Sequence, residues 1–204
     1  MAGYLAAAVS KSGKIGTFGG IPFASVTSFM SGYEQGAHYY NLVHGTSVEV
    51  LGWDSSTSEG YFIGEFCCMA EGRQHLEELV SAGADVIFPV AGAAAGRGAA
   101  LAAQESDGIY VIGVDFDWAI YQPDLSDVIL TSVLKHYDTT IKKAAEAVQA
   151  GKFVGGAYVG DITTDEVGLA PIRVSADVVT NSVREELEHI YQQILRGSLS
   201  VDIP

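Results

Sequence analysis

The sequence is poor in the features that classify a protein at first sight. Its two cysteines, Cys67 and Cys68, are adjacent in a predicted helix, so they indicate neither a disulfide framework nor a metal-ligand spacing. Lysine and arginine number 11 against 25 acidic residues, and this net charge of −14 argues against nucleic acid as a partner. No apolar run reaches the ~18 residues that a membrane span needs, and no export signal is recognisable.

Motifs of common enzyme classes are also missing. The chain has no nucleophile elbow, no phosphate-binding P-loop, no dinucleotide fingerprint and no zinc-protease motif. The five histidines are scattered and form no visible ligand set. We therefore predict no catalytic residue, no bound metal and no cofactor.

Short apolar runs alternate with helix-forming segments over the 204 residues. This alternation predicts an α/β fold, a parallel sheet flanked by helices. The predicted strands are 14–18, 48–53, 86–90, 110–114, 128–135 and a short one at 156–160. The predicted helices are 2–9, 22–39, 64–81, one from about 99, one from an N-cap at Asp138 to 150, and a last one from Ser175 or Asp177.

The segment 84–98 is the centre of this pattern. An apolar strand containing Phe88 is followed by a turn at Gly92 and Ala93, by further small residues including Gly96, and then by a helix. Small residues let a ligand approach the backbone, and a helix N-terminus offers N–H groups to its oxygens. Phe88 lies near the carboxyl end of the strand, where open α/β sheets bind ligands. The alternative is that the glycines only make a tight turn and that Phe88 belongs to the core.

Charged residues end the next two strands. Asp115 and Asp117 follow one apolar strand, and Lys135 ends the other. The two acids are suited to hold magnesium, to act as acid and base, or to accept hydrogen bonds from ligand hydroxyls. Lys135 either forms an ion pair with the Asp115 carboxylate or is a solvent-exposed lysine with no partner.

Six motifs together resemble one known family. They lie at 2–8, 13–22, 29–37, 83–92, 113–117 and 130–135, in the order and spacing of that family. The family is the BMP group of basic membrane proteins, the PnrA-like substrate-binding lipoproteins of ABC transporters. Its fold is the two-lobed type I periplasmic binding protein, in which purine nucleosides and similar compounds bind in the cleft between lobes.

This resemblance implies roles for individual residues. Phe88 would stack on the base, the turn at Gly92 and Ala93 would meet the ligand through its backbone, Asp115 would accept the ribose hydroxyls, and Lys135 would lie beside the ribose. These roles suit a ligand with a flat base and a polyhydroxyl sugar. One departure concerns Trp118, which stands where the family usually has glutamine, so ligand contacts from that turn are not expected to match.

The resemblance begins about a third of the way into the family's sequence, which implies that most of a first lobe is missing. Residues 1–13 would then be a crossover helix from that lobe, 14–134 the ligand-binding α/β lobe, 135–160 a crossover segment that would pack on the missing lobe, and 161–204 a return segment with the C-terminal helix. Apolar faces at 2–9 and 141–148 would lack a partner. We expect either a homodimer that covers these faces or a helix that folds back onto the remaining lobe.

The sequence is therefore interpreted as part of the solute-binding component of an ABC importer, with no enzymatic activity. A permease would be its partner in the full-length family, whose members are extracytoplasmic, membrane-anchored lipoproteins. Two alternatives remain open at this point. One is a cytoplasmic ligand-sensing regulator of the same fold, and the other is a small magnesium-dependent enzyme using Asp115 and Asp117.

Overall fold

The apolar runs of the sequence form the centre of one six-stranded sheet, in a computed structural model that describes residues 1–201. The described residues contain eight strands, of which β3 and β4 form a separate hairpin and the other six form this sheet. In chain order they are β1 Lys14–Gly19, β2 Glu49–Leu51, β3 Trp53–Asp54, β4 Glu59–Gly60, β5 Val86–Val90, β6 Tyr110–Asp115, β7 Ile129–Lys135 and β8 Val167–Leu169. The sheet order is β2-β1-β5-β6-β7-β8, and every pairing is parallel except that of β7 with β8. The predicted parallel α/β fold is confirmed.

Seven α-helices are assigned in the described residues. They are α1 Ala2–Val9, α2 Ala24–His44, α3 Met69–Ser81, α4 Gly92–Gln104, α5 Trp118–Tyr121, α6 Tyr137–Gln149 and α7 Asn181–Leu195. Phe88 of β5 pairs with Thr17 of β1, and the Phe88 ring contacts Tyr33 of α2. The residue after Thr17 in β1 is Phe18, whose ring contacts His75 of α3. Because successive side chains of a strand point to opposite faces, α2 and α3 cover opposite faces of the sheet.

Several predicted boundaries of helices were wrong. The helix predicted over 64–81 begins only at Met69, so both cysteines lie in the preceding loop. The helix after β5 begins at Gly92 rather than near 99. The N-cap of α6 is His136 instead of Asp138, and α7 starts after Thr180, whose hydroxyl accepts from the Val183 N–H. Helix ends depend on tertiary contacts as well as on capping residues, which explains errors of a few residues.

Two strand predictions also need correction. Residues 156–160 form no strand, and β8 lies instead at Val167–Leu169, where it pairs with the carboxyl half of β7. The segment 48–53 is divided between β2 and β3, and β3 pairs with β4 in a short antiparallel hairpin. Very short strands are stabilised by their partners, so their own sequence carries little signal.

The two faces expected to lack a partner differ from each other. Residues 2–9 are covered within the chain, which is one of the two expected outcomes: Leu5 and Ala6 of α1 are fully buried, and Tyr4 donates a hydrogen bond to Glu186 of α7 at 2.7 Å. Residues 141–148 lie in α6, in which no residue is buried and Ile141 is 68% exposed. The apolar surface continues into the following loop at Phe153, Val154, Tyr158 and Val159.

No helix within residues 1–201 is both long enough and apolar enough to cross a bilayer.

Candidate functional site

Asp115 ends β6 in an unusual backbone conformation. Its φ is 73°, in the left-handed region that residues other than glycine rarely adopt. Such conformations cost free energy and persist where the surrounding structure holds them, often at functional sites. The conformation places a carboxylate at the carboxyl edge of the parallel sheet, the edge at which open α/β sheets bind ligands.

Lys135 meets Asp115 across this edge. Its Nζ lies 2.7 Å from Asp115 Oδ1, and each side chain is 25% exposed. The same Nζ lies 4.7 Å from the centre of the Phe29 ring of α2, within range of a cation–π interaction. The two strands run parallel and end side by side, so the sheet itself brings together the two charges that the sequence placed at strand ends.

Tyr137 completes this charged group. Its hydroxyl donates to Asp115 Oδ1 at 3.4 Å. Partial burial and the charge of Asp115 raise the pKa of Tyr137, so the phenol remains a protonated donor at neutral pH. Both of these contacts to Asp115 are made by Oδ1. We call Asp115, Lys135 and Tyr137 the acid–lysine cluster.

Asp117 belongs to a different interaction. Its two oxygens bind Arg173 at 2.7 and 2.9 Å. Asp115 and Asp117 are therefore each neutralised by a separate cation. Within the described part of the chain, neither acid belongs to a group of three metal-ligating side chains.

Phe88 does not lie at the ligand edge. Its side chain is 1% exposed, and its ring packs on Tyr33 at 5.3 Å between ring centroids. A ring buried in this way has no free face for a base, so the stacking role implied by the resemblance does not fit the position. The alternative weighed from the sequence, that Phe88 is core, agrees with the structure.

Gly92 and Ala93 do lie at the edge, where they open α4. Gly92 has a φ of 78°, and Ala93 is exposed. No side chain caps this helix, and the N–H groups of a first turn lack partners within the helix. Gly96 has a packing role instead, because a Cβ there would lie 1.9 Å from the Trp118 ring.

Trp118 supports the turn that carries Asp115. It is fully buried, its Nε1 donates to the Val114 carbonyl at 2.8 Å, and its backbone N–H donates to Ser132 Oγ at 3.0 Å. Glycines at 96 and 113 make room for the ring. The tryptophan is therefore a core residue whose ring is not available to a ligand.

A second aromatic ring, which the sequence pattern does not single out, lies at this edge. Phe66 is 40% exposed, stacks on the exposed ring of Phe23 at 6.4 Å, and packs over Gly20. Its backbone carbonyl would lie 3.3 Å from a Cβ at Gly92, so it borders the N-terminus of α4. Phe66 falls within 64–81, where the sequence predicts a helix, whereas the helix begins only at Met69 and leaves Phe66 in the preceding loop.

This lobe has the fold found in ABC solute-binding proteins of known structure. The chain superimposes on a transcriptional activator of the comK gene from Bacillus halodurans with a TM-score of 0.78 and 25% identity, covering 98% of this chain and 62% of that one. It matches an ABC transporter solute-binding protein from Aeropyrum pernix K1 equally well, with a TM-score of 0.78 at 23% identity, over 100% and 62% of the two chains.

The chain belongs to the family of PnrA-like ABC transporter substrate-binding proteins, whose model matches residues 1–202. It is 34% identical to Basic membrane protein A1 of Borrelia garinii subsp. bavariensis over 203 residues, 98% of this chain and 55% of the relative. It is 26% identical to the ABC transporter nucleoside-binding protein BmpA of Lactococcus lactis subsp. cremoris, over 98% of this chain and 56% of the relative. The chain thus spans about half the length of the curated relatives it matches.

Proposed function

We propose that the carboxyl edge of this sheet is one wall of a solute site, and that the solute is a purine nucleoside or a close analogue. The observation that carries the proposal is the acid–lysine cluster, in which a backbone-strained Asp115 and Lys135 are held together and remain partly accessible. The second wall would come from the part of the family's sequence that this chain does not cover.

The cluster suits a sugar with neighbouring hydroxyls. Asp115 Oδ2 would accept from one or two hydroxyls, and Lys135 would donate to a sugar oxygen. Hydrogen bonds to charged groups contribute about 1.5–3 kcal/mol each, enough to orient a small ligand. Gly92 and Ala93 would add backbone N–H groups of α4, and Gly92 lies close to Phe66.

Phe66 would supply the stacking surface that Phe88 cannot. It is the exposed ring bordering the α4 N-terminus, and Phe23 extends the aromatic surface. A flat base gains about 1–3 kcal/mol from stacking on an aromatic side chain. The nucleoside-binding description of the Lactococcus relative supports this choice of ligand class.

The remaining parts of the proposal concern cellular context. We propose that the protein works without catalysis, with an ABC permease as partner, and that it acts outside the cytoplasm on a lipid anchor as the resemblance implies. The family match and the membrane-protein names of the relatives support this assignment. A ligand-sensing regulator is the second candidate, because one structural relative is a transcriptional activator.

Calorimetry with adenosine, guanosine and inosine tests the proposal. We would use the chain alone and a chimera in which the preceding half of a curated relative completes the cleft. The chimera should bind with micromolar affinity, and Phe66→Ala should weaken it by about 1–3 kcal/mol. The chain alone should bind at millimolar concentration or not at all, because it supplies one wall.

The matched control is Asp124→Asn. Asp124 is also paired with a cation, Arg97 at 2.7 Å, but it lies outside the proposed wall. It should leave binding unchanged, whereas Asp115→Asn should weaken it. Equal effects of the two substitutions, or micromolar binding by a chimera that does not depend on Asp115 or Phe66, would place the solute site elsewhere.

A further inference from the structure

Three metal-ligating side chains converge on the loop before α3, outside the acid–lysine cluster. The Sγ atoms of Cys67 and Cys68 lie 2.9 Å apart, and Cys68 Sγ lies 2.8 Å from Glu65 Oε1. One ligand atom from each of the three residues lies within 4.8 Å of the others. Glu65 and Cys67 are exposed, and both cysteines are free thiols.

We propose that Glu65, Cys67 and Cys68 form a surface site for a thiophilic divalent cation such as Zn²⁺. Two thiolates and a carboxylate form a ligand set suited to zinc, and three protein ligands leave the fourth position to water. Thiolates also select against the hard cations Mg²⁺ and Ca²⁺, which prefer oxygen.

Metal binding to thiols is coupled to the loss of their protons. The cation would displace one proton from each thiol, so that M²⁺ and the two thiols give the dithiolate complex and two protons, with no change of oxidation state.

The alternative to metal binding is a disulfide bond between the two cysteines. The Cα atoms of adjacent residues are about 3.8 Å apart across a trans peptide, closer than the 4.4–6.8 Å usual for disulfides. A metal imposes less strain. Bonds of about 2.3 Å in a tetrahedron hold two sulfur atoms about 3.8 Å apart, so the exposed thiols need only separate slightly.

The site would also fix Phe66, which lies between its ligands. A cation bound to residues on both sides of Phe66 should reduce the motion of that loop. The metal proposal stands independently of the nucleoside proposal, since it concerns only the ligands themselves.

Titration with Cd²⁺ and Zn²⁺ in a non-coordinating phosphine reductant tests the proposal. We expect about one equivalent of Cd²⁺ to produce a thiolate-to-metal charge-transfer band, and Zn²⁺ to bind with micromolar or tighter affinity in competition with a chromophoric chelator. Each Zn²⁺ should release about two protons, measured in weak buffer. Hydrogen exchange of residues 65–69 should slow at least several-fold on binding.

Cys67→Ser and Cys68→Ser should each weaken binding at least tenfold, the double variant should abolish it, and Glu65→Gln should weaken it several-fold. His75→Asn is the matched control, because the His75–Glu78 pair at 3.0 Å is a neighbouring surface ligand pair. It should leave the affinity unchanged, and circular dichroism should show every variant folded. Absence of the charge-transfer band, or binding that survives the double cysteine substitution, would overturn the proposal.

Discussion

Replacing Gly96 by alanine tests how the turn that carries Asp115 is held. A Cβ at position 96 would lie 1.9 and 2.4 Å from two atoms of the Trp118 ring, where ordinary contacts are 3.4–4 Å. The ring has little room to move, because a Cβ at Gly113 on its other side would lie 2.6 Å from it and Nε1 is bound to the Val114 carbonyl. Overpacking of this kind costs roughly 1–3 kcal/mol.

The sign of the result is decisive. In a helix, alanine is favoured over glycine by about 1 kcal/mol, so a position with space would become more stable. We expect Gly96→Ala to lower the free energy of unfolding by about 1–2 kcal/mol, measured by urea denaturation followed by circular dichroism. Gly155→Ala, which has no atom within 4 Å of its Cβ, is the control and should change it by less than about 0.5 kcal/mol.

A double substitution identifies the contact responsible. Trp118→Leu alone should destabilise the protein by leaving a cavity, but in that background Gly96→Ala should cost much less. If Gly96→Ala were as stable as the parent, or if its cost were the same with and without the tryptophan, the packing described for this turn would be wrong.

Three further predictions concern other parts of the chain. Phe88→Ala should lower the free energy of unfolding by about 3–5 kcal/mol in urea denaturation, as expected for a core ring, while a surface role predicts little loss. Glu166 has its pKa lowered from 4.5 to about 2 by hydrogen bonds from Thr164 and then Tyr158. Its contribution to stability should therefore be complete above about pH 4.5 and be lost as the pH falls towards 2, which carboxyl NMR titration and acid unfolding of Glu166→Gln would check. Ile141→Glu should reduce concentration-dependent self-association in light scattering; unchanged association would exclude the exposed face of α6 as its cause.

The central strands were predictable because burial on both faces makes each a continuous apolar run. Position 115 was recognisable for a related reason, since a carboxylate at the end of an otherwise apolar strand is costly unless something binds it. Its pairing with Lys135 followed from two parallel strands that end at one edge. Membership of the family, inferred from six spaced motifs, is confirmed by a family model that matches residues 1–202.

Other features depend on tertiary contacts that one sequence does not display. Phe88 and Phe66 are both phenylalanines near a strand or turn, and only the position of α2 buries the first while the second remains at the surface. The convergence of Glu65, Cys67 and Cys68 was missed because a helix was predicted there, and adjacent residues of a helix point about 100° apart. In the loop, their side chains point together.

The most direct test of the central claim measures how Asp115→Asn changes the affinity for each of two nucleosides. Adenosine and 2′,3′-dideoxyadenosine share a base but differ in the ribose hydroxyls that Asp115 is proposed to accept. In the chimera with a completed cleft, Asp115→Asn should weaken adenosine binding by about 1.5–3 kcal/mol, roughly tenfold to more than a hundredfold, and leave dideoxyadenosine binding unchanged. An equal loss for both ligands, or no loss for either, would contradict the assignment of Asp115 to the sugar.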